Sequence, residues 1–164
     1  MAKAVSAKNI LTNPVHCLAF GFGSGLAPKA PGTVGTLMAV VLYLLLSQLP
    51  LLVYAVVVLV AFIMGIYLCG KTADDLGVHD HPGIVWDEFV GFWITMFAVP
   101  AGWLWLVIGF ALFRLFDIWK PWPIKLFDKT MKTGLGIMID DVLAGVYALV
   151  LLQALVYLAG PELL

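Results

Sequence analysis

Charge is what this chain has least of. Acidic and basic side chains make up 12% of its 164 residues, and arginine occurs once, at Arg114. The net charge of -1 and the lack of a basic, aromatic stripe give no footing for nucleic acid. Cysteine occurs only at Cys17 and Cys69, without the spacing of a metal site. Both are expected as free thiols rather than as a disulfide. A cleavable signal peptide is not expected either: the first dozen residues are mixed and mildly basic, and the apolar stretch 15–22 is short. No internal repeat, no low-complexity tract and no inverted repeat of the transporter kind is apparent.

What the chain has instead is apolar length. It is 63% hydrophobic, with a mean hydropathy of +1.05. Five apolar runs lie near 33–49, 51–70, 86–99, 102–118 and 137–159. The run 51–69 is uninterrupted and long enough to cross a hydrocarbon core of about 30 Å at about 1.5 Å per residue. The runs near 33–49 and 86–99 are at or below the usual span, so tilted, partly embedded or bundle-buried helices are the alternatives there. The expectation is an all-α, multi-pass helical membrane bundle of about five helices, some of them short or partly embedded, in one domain covering 1–164.

The few charges are distributed unevenly. Laid out as an up-and-down path, all nine lysines and arginines, and every acid except Glu162, fall on one side. The opposite turns, Ser47-Gln48-Leu49-Pro50 and Val99-Pro100-Ala101-Gly102, carry no charge. The positive-inside rule makes the charged side cytoplasmic. Five crossings would leave the N-terminus inside and the C-terminus outside. The three long connectors, 21–36, 71–88 and 120–136, lie on that side, and long connectors with special residues usually carry function.

Three acidic doublets stand at helix ends on the charged side: Asp74-Asp75, Asp87-Glu88 and Asp140-Asp141, with Asp117 at the same level. Solvated helix ends, or acids favouring a helix dipole, would explain any one doublet. Convergence of all of them on one face is harder to explain that way, because a carboxylate costs roughly 2.5–3.5 kcal/mol at a membrane centre and like charges repel. A cation would neutralise the group, and oxygen ligands suit a hard ion, Mg²⁺ above all. Asp141, Ala144, Gly145 and Ala148 form a small-residue stripe at helical spacing, so Asp141 is expected to face protein.

Gly32-Thr33-Val34-Gly35-Thr36 precedes an apolar run, and Lys29 stands just before it. Backbone amides at a helix start, two threonine hydroxyls and a lysine suit phosphate, although a Gly-Pro loop with a threonine cap is also a common structural device. Arg114 and Asp117, three apart, share a helix face; Arg114 is either half of a local ion pair or a bidentate phosphate ligand. Lys120-Pro121-Trp122-Pro123 ends that helix at the interface, where Lys120 would meet headgroups. His79-Asp80-His81 is either a metal pair or a hydrogen-bonded loop, and His16 reads as structural or interfacial.

Several chemistries lack their motifs. No cysteine is followed by arginine at the spacing of a cysteinyl-phosphate loop, and the Ser-Gly-His and multiple arginines of histidine-nucleophile lipid phosphatases are missing. The Asp-x-Asp of aspartyl-phosphate hydrolases, the P-loop and the Gly-x-Ser-x-Gly elbow are missing too.

Five blocks, in order across roughly 13–145, closely resemble the phosphatidylglycerophosphatase A family. They are Gly23-Ser24-Gly25-Leu26-Ala27-Pro28 with Ala30-Pro31-Gly32-Thr33-Val34-Gly35-Thr36; Thr72-Ala73-Asp74-Asp75-Leu76-Gly77-Val78-His79-Asp80-His81; Ile84-Val85-Trp86-Asp87-Glu88-Phe89-Val90-Gly91; Phe113-Arg114-Leu115-Phe116-Asp117-Ile118-Trp119-Lys120-Pro121-Trp122-Pro123-Ile124; and Gly134-Leu135-Gly136-Ile137-Met138-Ile139-Asp140-Asp141 with Ala144-Gly145. The resemblance implies a Mg²⁺-dependent lipid phosphatase of the bacterial inner membrane, active at the cytoplasmic headgroup level. It would convert phosphatidylglycerophosphate to phosphatidylglycerol and inorganic phosphate. Asp74, Asp87, Glu88, Asp140 and Asp141 are then the pool for metal ligation, with Asp87, Glu88, Asp140 and Asp141 also the candidates for catalysis. Lys29, Thr33, Thr36 and Arg114 would hold the phosphate. A small transporter would need ionisable residues at mid-membrane instead. A noncatalytic lipid-binding subunit would release no phosphate.

Overall fold

The computed structural model describes residues 6–78, 81–126, 131 and 133–159. His79 and Asp80, and likewise Lys3, Lys129, Lys132 and Glu162, lie outside the described residues. Among those described there are helices and no strand. Two short helices, α1 (Ala7–Thr12) and α2 (Pro14–Ala19), lead into a 3-10 segment, Gly21–Leu26. Five longer helices follow: α3 (Pro31–Leu46), α4 (Leu51–Leu76), α5 (Trp86–Thr95), α6 (Trp103–Trp119) and α7 (Gly134–Ala159). They fall on the five apolar runs of the sequence.

Helix lengths separate two kinds of element. Helices α4 and α7 have 26 residues each, about 39 Å at about 1.5 Å per residue, and are, among the described residues, the two long and apolar enough to cross a membrane. Both carry broad exposed apolar faces, such as Leu52, Leu59, Ile63 and Tyr67 on α4 and Val150, Tyr157 and Leu158 on α7. Surfaces of that kind suit lipid rather than water. Helix α5 is the opposite case. With ten residues it reaches about 15 Å, half a hydrocarbon core, so it spans nothing. Nine of its ten residues are buried, its two acids Asp87 and Glu88 among them. It is the hub of the bundle and touches α3, α4, α6 and α7. The alternative of a bundle-buried helix for the run near 86–99 is the one realised.

Three core aromatics reach helix carbonyls with their polar tips. Trp86 Nε1 donates to Ala61 O at 3.0 Å, Trp93 Nε1 to Ala39 O at 3.0 Å, and Tyr54 Oη to Trp93 O at 2.7 Å. These bonds tie α5 to α4 and α3 and set its rotation, because a buried N–H or O–H without a partner is costly.

The glycine-rich segment serves packing. Gly25 lies so close to the 81–85 loop that a Cβ there would sit 2.0 Å from Gly83 O. The amide of Val85, which precedes α5, donates to Ala19 O at 2.9 Å. The segment Gly21–Leu26 therefore holds the entrance to α5 in place. The phosphate-friendly stretch expected ahead of α3 is instead its first turn. Pro31 takes the N1 position, where its missing N–H costs nothing.

Candidate active site

Two helices cross at their glycines, and that crossing builds the site. A Cβ on Gly145 of α7 would lie 2.4 Å from Gly91 O, and one on Gly91 of α5 would lie 2.7 Å from Asp141 O. The backbones are therefore in contact, which only glycine permits. One helical turn before each glycine stands an acid: Asp87 before Gly91 and Asp141 before Gly145. Crossing at the glycines brings these acids face to face, with Glu88 beside them. Each of Asp87, Glu88 and Asp141 offers a carboxylate oxygen, and the three oxygens lie within 4.8 Å of one another. Asp141 is 3% exposed, and Asp87 and Glu88 are 9% exposed. The small-residue stripe expected to turn Asp141 inward is buried throughout: Ala144, Gly145 and Ala148 are all in the core.

Such a group is costly alone. Burial, and after it the Asp141 carboxylate, push Glu88 well above the ordinary glutamate range. Two oxygens, Glu88 Oε2 and Asp141 Oδ2, are buried with no hydrogen-bond partner among the described residues. Buried carboxylate oxygens are tolerated when a cation or a donor satisfies them. The donor set here is oxygen only, which fits a hard metal ion.

Helix α6 supplies the nearest positive charge. Arg114 pairs with Asp117 at 2.5 Å and lies 3.9 Å from Glu88 Oε1. Its Nη1 also donates to Thr36 Oγ1 at 3.5 Å. The local pair and the placement at the acids thus coexist: Asp117 holds the guanidinium against them. The first turn of α3 closes this side. A Cβ on Gly32 would sit 2.3 Å from Glu88 Oε1 and 3.3 Å from Arg114 Nη1, so a side chain there would displace the ends of Glu88 and Arg114. Ala30 gives α3 no side-chain cap. Helix starts of this kind favour anions.

The other expected residues divide. Thr36 is fully buried and donates to Gly32 O at 2.9 Å, while Thr33 is half-buried in the same turn. Lys29 is exposed ahead of α3. Asp140 lies outside the close group of acids. Its Oδ2 accepts from Lys120 Nζ at 2.6 Å and its Oδ1 from the Asp141 amide at 3.1 Å. Asp74 is exposed beside a separate cavity of about 460 Å³ lined by Gly70, Ala73, Gly77, Thr133, Gly134 and Ile137. Asp75 pairs with His16 at 3.1 Å and with Lys71, bridging α2 and α4. His81 Nδ1 accepts from the Gly83 amide at 3.0 Å, a loop role. Two features escaped the reading of the sequence: the Lys120–Asp140 pair and the part played by Gly91. The second has a visible signal, since Asp-x-x-x-Gly occurs in both crossing helices.

The model of the phosphatidylglycerophosphatase A family matches residues 17–156. The chain is 53% identical over 137 residues to phosphatidylglycerophosphatase A of Escherichia coli K12, covering 83% of this chain and 80% of that one. It is 52% identical over 149 residues to phosphatidylglycerophosphatase A of Haemophilus influenzae Rd, covering 90% and 91%. It is also 45% identical over 149 residues to a Bacteroides thetaiotaomicron protein provisionally named a phosphatidylinositol-3-phosphatase, covering 85% and 92%. No solved structure matches the chain.

Proposed function

This chain belongs to the phosphatidylglycerophosphatase A family, and from that premise we propose that it removes the terminal phosphate of phosphatidylglycerophosphate at a Mg²⁺ site formed by Asp87, Glu88 and Asp141. The products are phosphatidylglycerol and inorganic phosphate. The observation that carries the reading is the close approach of three buried carboxylates, with Glu88 and Asp141 each keeping an oxygen without a hydrogen-bond partner among the described residues, beside the chain's single arginine.

Hydrolysis of a phosphate monoester asks for charge neutralisation on the phosphoryl oxygens, an oriented water and a protonated leaving group. Mg²⁺, when bound, supplies Lewis acidity to phosphoryl oxygen and water. Arg114 takes phosphate oxygens through its planar fork, steadied by Asp117. The first turn of α3 presents amide donors and the Thr33 hydroxyl to the same oxygens, while Thr36, whose hydroxyl is donated to Gly32 O, accepts from Arg114 and steadies its guanidinium. A carboxylate of the acid group accepts the proton of the attacking water. The phosphorus–oxygen bond to glycerol breaks, and that proton goes to the departing glycerol oxygen. Asp74 and Asp140 take no part as ligands in this reading, and Lys29 serves at most as a cation on the rim.

The setting is the bacterial inner membrane. Helices α4 and α7 cross the bilayer, the shorter α3, α5 and α6 complete the bundle around them, and the acid group faces the cytoplasmic headgroups. Support comes from the exposed apolar faces of α4 and α7 and from the charge asymmetry of the sequence. Lipid tails then remain in the bilayer while the headgroup enters the bundle.

The test is phosphate release by the purified protein from phosphatidylglycerophosphate in mixed micelles, with Mg²⁺ and with EDTA. Release with Mg²⁺, loss in EDTA and recovery on adding Mg²⁺ are expected. Full activity in EDTA would falsify the metal site.

A further inference from the structure

The buried helix α5 has one residue that is not buried, Ile94, and the opening onto it is a groove between α4 and α7. The groove has a volume of about 330 Å³. Its walls include Ala55, Leu59 and Phe62 of α4 and Val142 and Leu149 of α7, with Ile94 and Phe97 behind them, and every lining side chain is apolar. Local structure explains the gap. Toward the acid end, α4 and α7 meet closely: a Cβ on Gly134 would sit 2.0 Å from Ile66 O, and one on Gly65 would sit 2.6 Å from Met138 Sδ. One turn on, bulky Phe62 and Val142 take the place of the glycines, and α5 stops at Thr95, short of filling the space. Gln153 Nε2 donates to Phe97 O at 2.8 Å and fixes Phe97 at the far end.

The groove runs from Phe62 and Val142 to Ala55 and Leu149, about 10 Å at about 1.5 Å per residue, inside both helices and short of their ends. Leu59 at its edge is 58% exposed and shares the outer face of α4 with Leu52 and Ile63. The groove is therefore continuous with a face that the bilayer setting turns to lipid. Water does not suit it, because no lining side chain offers a hydrogen bond. A helix of about 10 Å diameter would need more than twice that volume over the same length. A single acyl chain is thin and apolar, and it is the solvent at that depth. Left empty, the groove would deny its lining the dispersion contacts of a packed interior. The tails of the substrate are not the source. The acid group is bounded by α6 and α3 through Arg114 and Gly32, and among the described residues none of either helix lines the groove.

We propose that this groove holds one acyl chain of a bilayer phospholipid, whatever its headgroup, and that the chain completes the packing of α5 at Ile94. This rests on the bilayer setting proposed above and adds a lipid site apart from that of the substrate. Asp87 and Glu88 stand in the first turn of the same ten-residue helix. A chain packed on Ile94, about two turns along, steadies the element that carries those acids.

The test is photolabelling of the full chain in nanodiscs by a phosphatidylcholine that carries a diazirine in mid-chain and no phosphate monoester. Label is expected on residues 94–97 as well as on the exposed faces of α4 and α7. Ala55→Phe puts a ring into the groove and should cut the label on 94–97 about fivefold or more while α4 and α7 stay labelled at Leu52 and Val150. Val56→Phe, on the exposed face outside the groove, should change it by less than about twofold. Should A55F not fold, A55L is the smaller filling, with the same direction expected. Adding phosphatidylcholine to delipidated wild type should raise the unfolding midpoint by about 4 °C or more, and that of A55F by less than half as much. Label on α4 and α7 with none on 94–97 would overturn the proposal, and so would unchanged label there in folded A55F. Loss of that label to competing phosphatidylglycerophosphate would give the groove to the substrate, and a dimer cross-linked through L59C with 94–97 unlabelled would give it to a second copy; either result overturns the proposal. Absence of phosphate release by the wild type would sink the phosphatase reading and leave the labelling result standing. Release of the protein from membranes without detergent would sink the bilayer setting and this proposal with it.

Discussion

Gly145→Ala is the perturbation that probes the architecture of the site without touching its chemistry. The new Cβ would fall 2.4 Å from Gly91 O, where ordinary contact needs about 1 Å more. The nearest neighbour of that methyl is backbone, not a flexible side-chain end, so α5 and α7 must part. Overpacking of this kind costs about 1–3 kcal/mol. The functional effect should be larger. Asp87 and Glu88 ride on α5 and Asp141 on α7, so separating the helices by about 1 Å opens the acid group by a similar amount, and a misplacement of that size costs about a hundredfold in rate. The assay is initial phosphate release across a Mg²⁺ titration, with thermal unfolding in detergent recorded on the same preparations. Gly109→Ala is the control. Its Cβ would meet the flexible thioether of Met96, far along the bundle from the acids, so it should lower stability somewhat and leave the Mg²⁺ requirement alone. Wild-type turnover in G145A with an unchanged unfolding midpoint would refute the claim that the glycine crossing sets the carboxylate spacing.

Further outcomes follow from the same geometry. D87N, E88Q and D141N should each lower kcat by about a hundredfold or more, while D74N, on the exposed end of α4, should lower it by less than about threefold; comparable losses in all four would return Asp74 to the site. Arg114→Met leaves Asp117 and Glu88 without their cation and should cost about 3–5 kcal/mol of stability as well as activity, read as a drop in the unfolding midpoint of the detergent-solubilised protein. Gly25→Ala drives a methyl into Gly83 O and should reduce stability by displacing the entrance to α5; a selective loss of phosphate affinity with normal stability would contradict the packing role of this loop.

The apolar runs predict the long helices well, because burial and lipid exposure both demand hydrophobic residues and leave the turns as the polar remainder. Level along the bundle was legible too: the starts of α5 and α7 and the end of α6 do lie together. Rotation about each helix axis was not. Asp140 and Asp141 are neighbours in sequence, but successive helical residues point about 100° apart, so one meets the acid group and the other meets Lys120. The Asp74-Asp75 doublet does not join the close group of acids: Asp75 is taken by His16 of α2 and by Lys71, and Asp74 is exposed. The Gly-Thr stretch was expected ahead of α3, but Pro31 begins the helix early and turns Gly32 into a contact surface for Glu88. In each case a partner from a distant helix decided the outcome, and the periodicity of a single segment holds no record of that partner.

The central claim is that Asp87, Glu88 and Asp141 jointly hold the ion on which hydrolysis depends. Its most direct test is calorimetric titration of Mg²⁺ into EDTA-stripped protein, wild type beside D141N. Saturable binding by wild type, weakened at least about tenfold in D141N while the helical content is retained, is the predicted result. Equal affinity and stoichiometry in the two proteins would contradict it.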